Sequence, residues 1–174
     1  MRSPDDSLAI EEFREDGFSN ELTRKELKNK TLKMAGWLKS KGIKKGDRVC
    51  AYMPNCSETI ITMLATSALG AIFSSCSSDF GVEGVIDRFE QIEPKILVAT
   101  NGYLYSGKLI ERAEEIKAIS KRLTSLEHVL VVEYITSTKD IDGFTNFNIV
   151  FQSDPLEGYV LCDFNDPCLL YTSP

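Results

Sequence analysis

The stretch RVCAYMPNCSETIITMLATSALGAIFSSCSSDFGVEGVIDRFEQIEPKILVAT, from Arg48 to Thr100, decides the fold. Arg48 to Met53 is short, apolar and closed by Pro54, which reads as a strand. Asn55 with Glu58 reads as a capping pair before a helix from Thr59 to Leu69. Ile60, Met63, Leu64 and the Ser67 to Ala68 pair step helically along it, and Gly70 ends it. Ala71 to Ser75 gives a second strand. Val85, Ile86, Phe89 and Ile92 mark a helix stopped by Pro94, and Lys95 to Thr100 gives a third strand.

The same alternation extends outward. Upstream, Thr23 and Glu26 form a capping box for a helix with Leu27, Met34, Ala35 and Leu38 on one face, a lysine-rich solvated outer face, and a stop at Gly42. Downstream, Ile110, Ala113, Ile116 and Leu123 carry a helix from about Lys108 to Leu123, and His128 to Glu133 reads as a fourth strand. From Tyr134 the pattern weakens into polar sequence, with one more strand expected near Gly158 to Cys162. Strand, helix, strand with short connections implies parallel strands joined by right-handed crossovers. The expected fold class is therefore α/β, a doubly wound parallel sheet with flanking helices.

Composition narrows the function classes. The 174 residues, 43% hydrophobic and 26% charged, suffice for one sizeable core. A net charge of -6 leaves no basic surface for nucleic acid or an anionic membrane, so neither is expected as a partner. Apolar runs such as Ile60 to Leu64 fall far short of the ~20 residues a membrane span needs. The N-terminus carries Asp5, Asp6 and Glu11 and has no apolar core of a secretory signal, so a cytoplasmic location is expected. The cysteines at 50, 56, 76, 162 and 168 form no CxxC pair, and His128 is the sole histidine. They read as reduced, buried thiols, with no metal site and no nucleophile among them.

In open parallel sheets ligands gather at the carboxyl ends of the strands, where loops and helix N-termini present amides. Two loops fall there. SSCSSDFG, from Ser74 to Gly81, is small and polar and suits an anion; the alternative is that Asp79 simply caps the next helix. NGYLYSGK, from Asn101 to Lys108, sets Lys108 to meet a phosphate at the same edge; the alternative is an ordinary surface lysine. Neither loop contains GxxxxGK or GxGxxG. Glu11 with Glu12 and Glu114 with Glu115 read as solvated pairs, His128 as structural, and no residue reads as catalytic.

The run from Gly46 to Lys108 resembles acetoacetyl-CoA synthetases, members of the adenylate-forming superfamily. GDRV and the MPN turn are shared widely across that superfamily, whereas SSCSSDFG, VIDRFEQIEPK and NGYLYSGK are narrower. The likeness extends weakly from Asp5 to FNDP at Phe164 to Pro167, and Ser57 and Ser78 stand where the family pattern has proline. The resemblance implies a parent enzyme that activates acetoacetate with ATP and Mg2+ to an acyl-adenylate and then transfers the acyl group to CoA. By analogy with acetyl-CoA synthetases, Ser77, Ser78, Asp79, Phe80 and Lys108 would line the nucleotide end of the CoA site. The family's phosphate loop, its Mg-associated glutamate, its ribose-binding aspartate and its late lysine would follow the FNDP region.

Residues 1–167 are thus expected to be part of the N-terminal domain of such a ligase. CLLYTSP, from Cys168 to Pro174, reads as the in-frame translation of a transposon-end sequencing adapter, with Pro174 where the phosphate loop has glycine. This chain alone is expected to be inactive and to bind none of ATP, CoA or Mg2+ well. Two other readings stay open: a ligase for another short acid such as acetate or propionate, and a non-catalytic flavodoxin-like binding module.

Overall fold

Capping chemistry and apolar spacing set the elements in the computed structural model, which describes residues 4–136 and 143–170. The chain opens with an antiparallel hairpin, β1 (Leu8–Phe13) and β2 (Ser19–Thr23). Helix α1 (Arg24–Ser40) follows, and the Thr23–Glu26 capping box forms in both directions at its start. Then come β3 (Arg48–Tyr52), α2 (Ser57–Ala68), β4 (Ile72–Cys76) and α3 (Val82–Phe89). After β5 (Ile96–Thr100) a second hairpin pairs β6 (Gly102–Tyr105) with β7 (Lys108–Glu111). Helix α4 (Ala113–Arg122), β8 (His128–Val132) and the two-residue β9 (Thr145–Asn146) complete the set.

The main sheet has the order β4-β3-β5-β8-β9, and every pairing in it is parallel. The order in which the chain adds strands across the sheet reverses after β4, which puts α1 and α2 on one face and α3 and α4 on the other. Two cores result. Met34, Leu38, Ile61 and Ala65 pack on Val49, Ala51, Ile96 and Val98; Ile86, Phe89, Ile116 and Ile119 pack on Cys50, Tyr52, Leu97 and Ala99. This is the doubly wound α/β sheet read from the sequence, and its crevice lies at the carboxyl ends of β3 and β5.

Several local expectations are corrected. Asn55 and Glu58 do not cap α2, which starts two residues earlier at Ser57 with Cys56 at the cap position and no side-chain cap bond. The Ser57 amide instead donates to Glu12, a carboxylate 8% exposed that arrives from β1. Glu12 is therefore not the solvated acid expected. Nor does α2 bury Ile60 and Leu64, which are 38% and 37% exposed. The buried face carries Ile61, Ala65 and two threonines, Thr62 and Thr66, whose hydroxyls bond the carbonyls of Glu58 and Thr62. Local back-bonding makes threonine burial tolerable, so the polar spacing misreported the face.

Asn101 to Lys108 is not a loop: Ser106 and Gly107, both left-handed at φ 50 and 72, make the two-residue turn of a hairpin. The following helix accordingly begins at Ala113, and Ile110 belongs to β7. Gly158 to Cys162 forms no strand. That segment crosses the α1–α2 face, with the Val160 amide on the Ala68 carbonyl. Just before it, the Asp154 carbonyl lies so close to Gly36 that a Cβ there would overlap it. Cys50, Cys56 and Cys76 are buried free thiols, but Cys162 and Cys168 are exposed. Cys168 and Leu170 exchange backbone hydrogen bonds with Phe73 at the β4 edge, while 171–174 lie outside the described residues.

Candidate functional site

A cleft of about 510 Å3 opens where the topology places it, at the carboxyl ends of β3, β4, β5 and β8. Met53, Pro54 and Asn55 follow β3; Ser75 to Asp79 end β4 and enter its loop; Tyr103 to Tyr105 come from β6; Tyr134 follows β8. Phe13, Arg14 and Glu15 close one side from the β1–β2 connection. Arg14 is held by an ion pair to Asp16 at 2.8 Å and lies over the Tyr134 ring at 4.0 Å.

The floor is made rigid by Asn101, 4% exposed. Its amide donates to the Ile135 carbonyl at 2.8 Å, and its carbonyl oxygen accepts from the Tyr134 and Ile135 amides at 2.9 and 3.1 Å. Tyr134 is thereby fixed as a wall. The second hairpin is tied to the first by Glu15, whose carboxylate accepts the Ser106 and Gly107 amides at 3.3 and 3.0 Å. Both ends of that contact are exposed, so it orients the hairpin more than it stabilises it.

The residues singled out from sequence separate into two groups. Ser77, Ser78 and Asp79 line the cleft. Phe80 turns away, under the Arg88 guanidinium at 4.3 Å, and Lys108 stands exposed opposite Tyr105 on β7, outside the lining residues. Asp79 does not cap α3, because Gly81 holds that position with no side-chain cap bond. His128 sits at the start of β8, at the opposite end of the sheet, edge-on to Trp37 at 5.9 Å.

Reading by sequence missed Arg14, Tyr103, Tyr134 and Arg112, which the chain supplies from elements that were not assigned or whose boundaries were misplaced. The local alternation in LAIEEF was the available signal for β1. Nothing in the sequence pairs Arg14 with Tyr134. Glu115 also departs from the solvated reading, since it bonds Arg112 at 2.6 Å.

The cleft's polar groups are hydroxyls, amides, the Asp79 and Glu15 carboxylates and a paired guanidinium. Burial pushes the Cys76 thiol up to about 12, so it stays protonated near neutral pH and is a poor nucleophile. Burial likewise pushes the Tyr134 hydroxyl up to about 12, leaving a neutral donor and acceptor at the wall. Among the described residues no three His, Cys, Asp or Glu side chains gather as a metal-ligand set. Among the same residues no helix is long and apolar enough to cross a membrane.

Comparison with known proteins agrees with this architecture. Acetoacetyl-CoA synthetase from Macaca fascicularis is 40% identical over 133 residues, 76% of this chain and 20% of that protein. Acetoacetyl-coenzyme A synthetase from Rhizobium meliloti (strain 1021) is 48% identical over 109 residues, 63% of this chain and 17% of that protein. The chain thus spans about a fifth of the length of the curated relatives it matches. Among solved structures, acetoacetyl-CoA synthetase from Streptomyces lividans matches with a TM-score of 0.82 at 30% identity, over 87% of this chain and 23% of that one. An acyl-CoA synthetase from Brucella canis shares the fold, with a TM-score of 0.74 at 18% identity over 96% of this chain and 28% of that one. The family of AMP-binding enzymes matches residues 2–173, and the chain belongs to that family.

Proposed function

We propose that this chain is the part of an acetoacetate-CoA ligase that presents its CoA-facing edge. The observation that carries the reading is the joint match in sequence and fold to acetoacetyl-CoA synthetases, at 30% identity and a TM-score of 0.82 for the solved one. The parent would join acetoacetate to ATP, releasing pyrophosphate, and pass the acyl group from the adenylate to CoA. ATP supplies the leaving group of the first step. What this chain contributes is a wall of Ser77, Asp79, Tyr103 and Tyr134 against which the nucleotide end of CoA lies.

Acetate, propionate or a related acid as substrate is the second reading, and the Brucella canis likeness speaks for the fold alone. We assign the native domain to residues 1–167 and the heptapeptide from Cys168 onward to an adapter. The backbone pairing of Cys168 and Leu170 with Phe73 is compatible with either origin, because main-chain bonds do not depend on side-chain identity. A cytoplasmic setting suits the free thiols.

Two measurements test this. Genomic DNA beyond the codon for Pro167 is expected to encode a Ser/Thr-Gly-Thr-Thr-Gly run; a stop codon in that frame would contradict a ligase parent. Acetoacetate-dependent ATP–pyrophosphate exchange by the 174-residue chain is expected to stay at background. Exchange above that level would show that the chain itself adenylates.

A further inference from the structure

Two networks converge on one peptide carbonyl of the candidate loop. The Ser78 carbonyl accepts from the Tyr52 hydroxyl at 3.0 Å and from Arg112 Nε at 2.9 Å. The Tyr52 hydroxyl is also 2.6 Å from the Phe80 carbonyl, so it is shared between two acceptors of the same loop. Arg112 spreads its other nitrogens to the Tyr103 hydroxyl at 3.1 Å and to Glu115 at 2.6 Å. Tyr52 is fully buried and the Arg112 side chain is 13% exposed.

These contacts change what Ser78 does. Its residue is 2% exposed and its carbonyl accepts from Arg112 Nε, with the single Tyr52 proton shared between it and the Phe80 carbonyl, so it anchors the loop and leaves Ser77 and Asp79 to face the cleft. Tyr103, the third acceptor of the fork, lies on β6 in the opposite wall. One guanidinium therefore joins the β4 loop, the β6–β7 hairpin and α4. Only a planar fork with several donors at fixed angles can do this; a lysine ammonium is a point charge on a flexible stem.

We propose that Arg112 is the positioning residue of the CoA-facing cleft, holding the loop from Ser74 to Gly81 and the hairpin wall in one register so that both walls meet the ligand together. The role rests on the CoA reading above. Tyr52 supports it from below by fixing the same carbonyl.

The test is amide NMR on the 174-residue chain, combining a titration with CoA into the millimolar range and hydrogen exchange without ligand. In the unsubstituted chain CoA should shift amides of 75–81 and 103–105. In Arg112→Met the shift per unit of added CoA should fall about fivefold, the equivalent of one well-made bond. Exchange should rise about tenfold in both 78–81 and 102–105. Arg112→Lys should fall between, and Arg122→Met, which removes an exposed arginine at the far end of α4 paired with Glu83 of α3, should change neither readout.

If CoA shifts nothing in the unsubstituted chain, the CoA reading fails and the positioning role fails with it. If CoA shifts persist undiminished in Arg112→Met, or only the hairpin loosens, the positioning role is wrong and the CoA reading stands. Should Arg112→Met fail to fold, Tyr103→Phe removes a single acceptor. It must raise exchange across 102–105 and weaken the CoA shifts there, and a Tyr103→Phe chain that behaves like the original would also overturn the role.

Discussion

Glu12 shows how one residue can join two elements that the sequence treats separately. Its carboxylate is 8% exposed and accepts the Ser57 amide at 3.1 Å, at the N-terminus of α2 where the helix dipole favours a negative charge. Glu12→Ala should therefore cost about 1–3 kcal/mol, read as a lower urea midpoint at unchanged m-value. The buried thiols make a second prediction at this scale. Burial lifts Cys56 and Cys76 from the usual 9.0 to about 12, and lifts Cys50 well above 9.0. The folded state then keeps protons that the unfolded chain loses, so these thiols' stabilising contribution is complete below pH 9 and declines as pH rises from there toward 12. Urea midpoints across that range should fall, and substituting the three cysteines by alanine should flatten the fall. Iodoacetamide at pH 8 should label Cys162 and Cys168 well before the three buried thiols. Labelling all five equally would mean that the core is open.

At the scale of elements, the strongest local codes survived folding and the weaker ones were overruled. The Thr23–Glu26 box, the left-handed stop at Gly42 and the four strands β3, β4, β5 and β8 formed where their residues indicated. Helix α2 did not follow its apolar stepping, because Thr62 and Thr66 satisfy themselves on their own helix and can be buried while Ile60 and Leu64 stay outside. The β6–β7 hairpin escaped notice because its turn is Ser-Gly, with a serine bearing a positive φ where asparagine or aspartate would have signalled it. Gly36 belongs to this scale too: helix propensity alone would favour alanine there, but the Asp154 carbonyl lies against it. Gly36→Ala gains helix propensity of roughly 1 kcal/mol. It should nonetheless destabilise by about 1–3 kcal/mol through overpacking, and amides of 154–156 should exchange faster. A more stable Gly36→Ala protein would show that this segment does not press on α1.

For the whole molecule, sheet order and function connect through one reversal of direction, which opens the crevice between β3 and β5 and sets four strand ends around it. That much was readable from the alternation of strands and helices. The cleft's composition was not, because Arg14, Tyr103 and Tyr134 lie far apart in sequence and are brought together only by the two hairpins and the Asn101 clamp. Of the five residues proposed for the CoA edge, Ser77, Ser78 and Asp79 stand at the cleft, while Phe80 and Lys108 face elsewhere. The most direct measurement is therefore to map amide shifts of the 174-residue chain on adding millimolar CoA. Shifts confined to 53, 55, 75–81, 103–105 and 134 are predicted. Shifts centred on the α1–α2 face, or none at all, would contradict the assignment of this cleft to CoA.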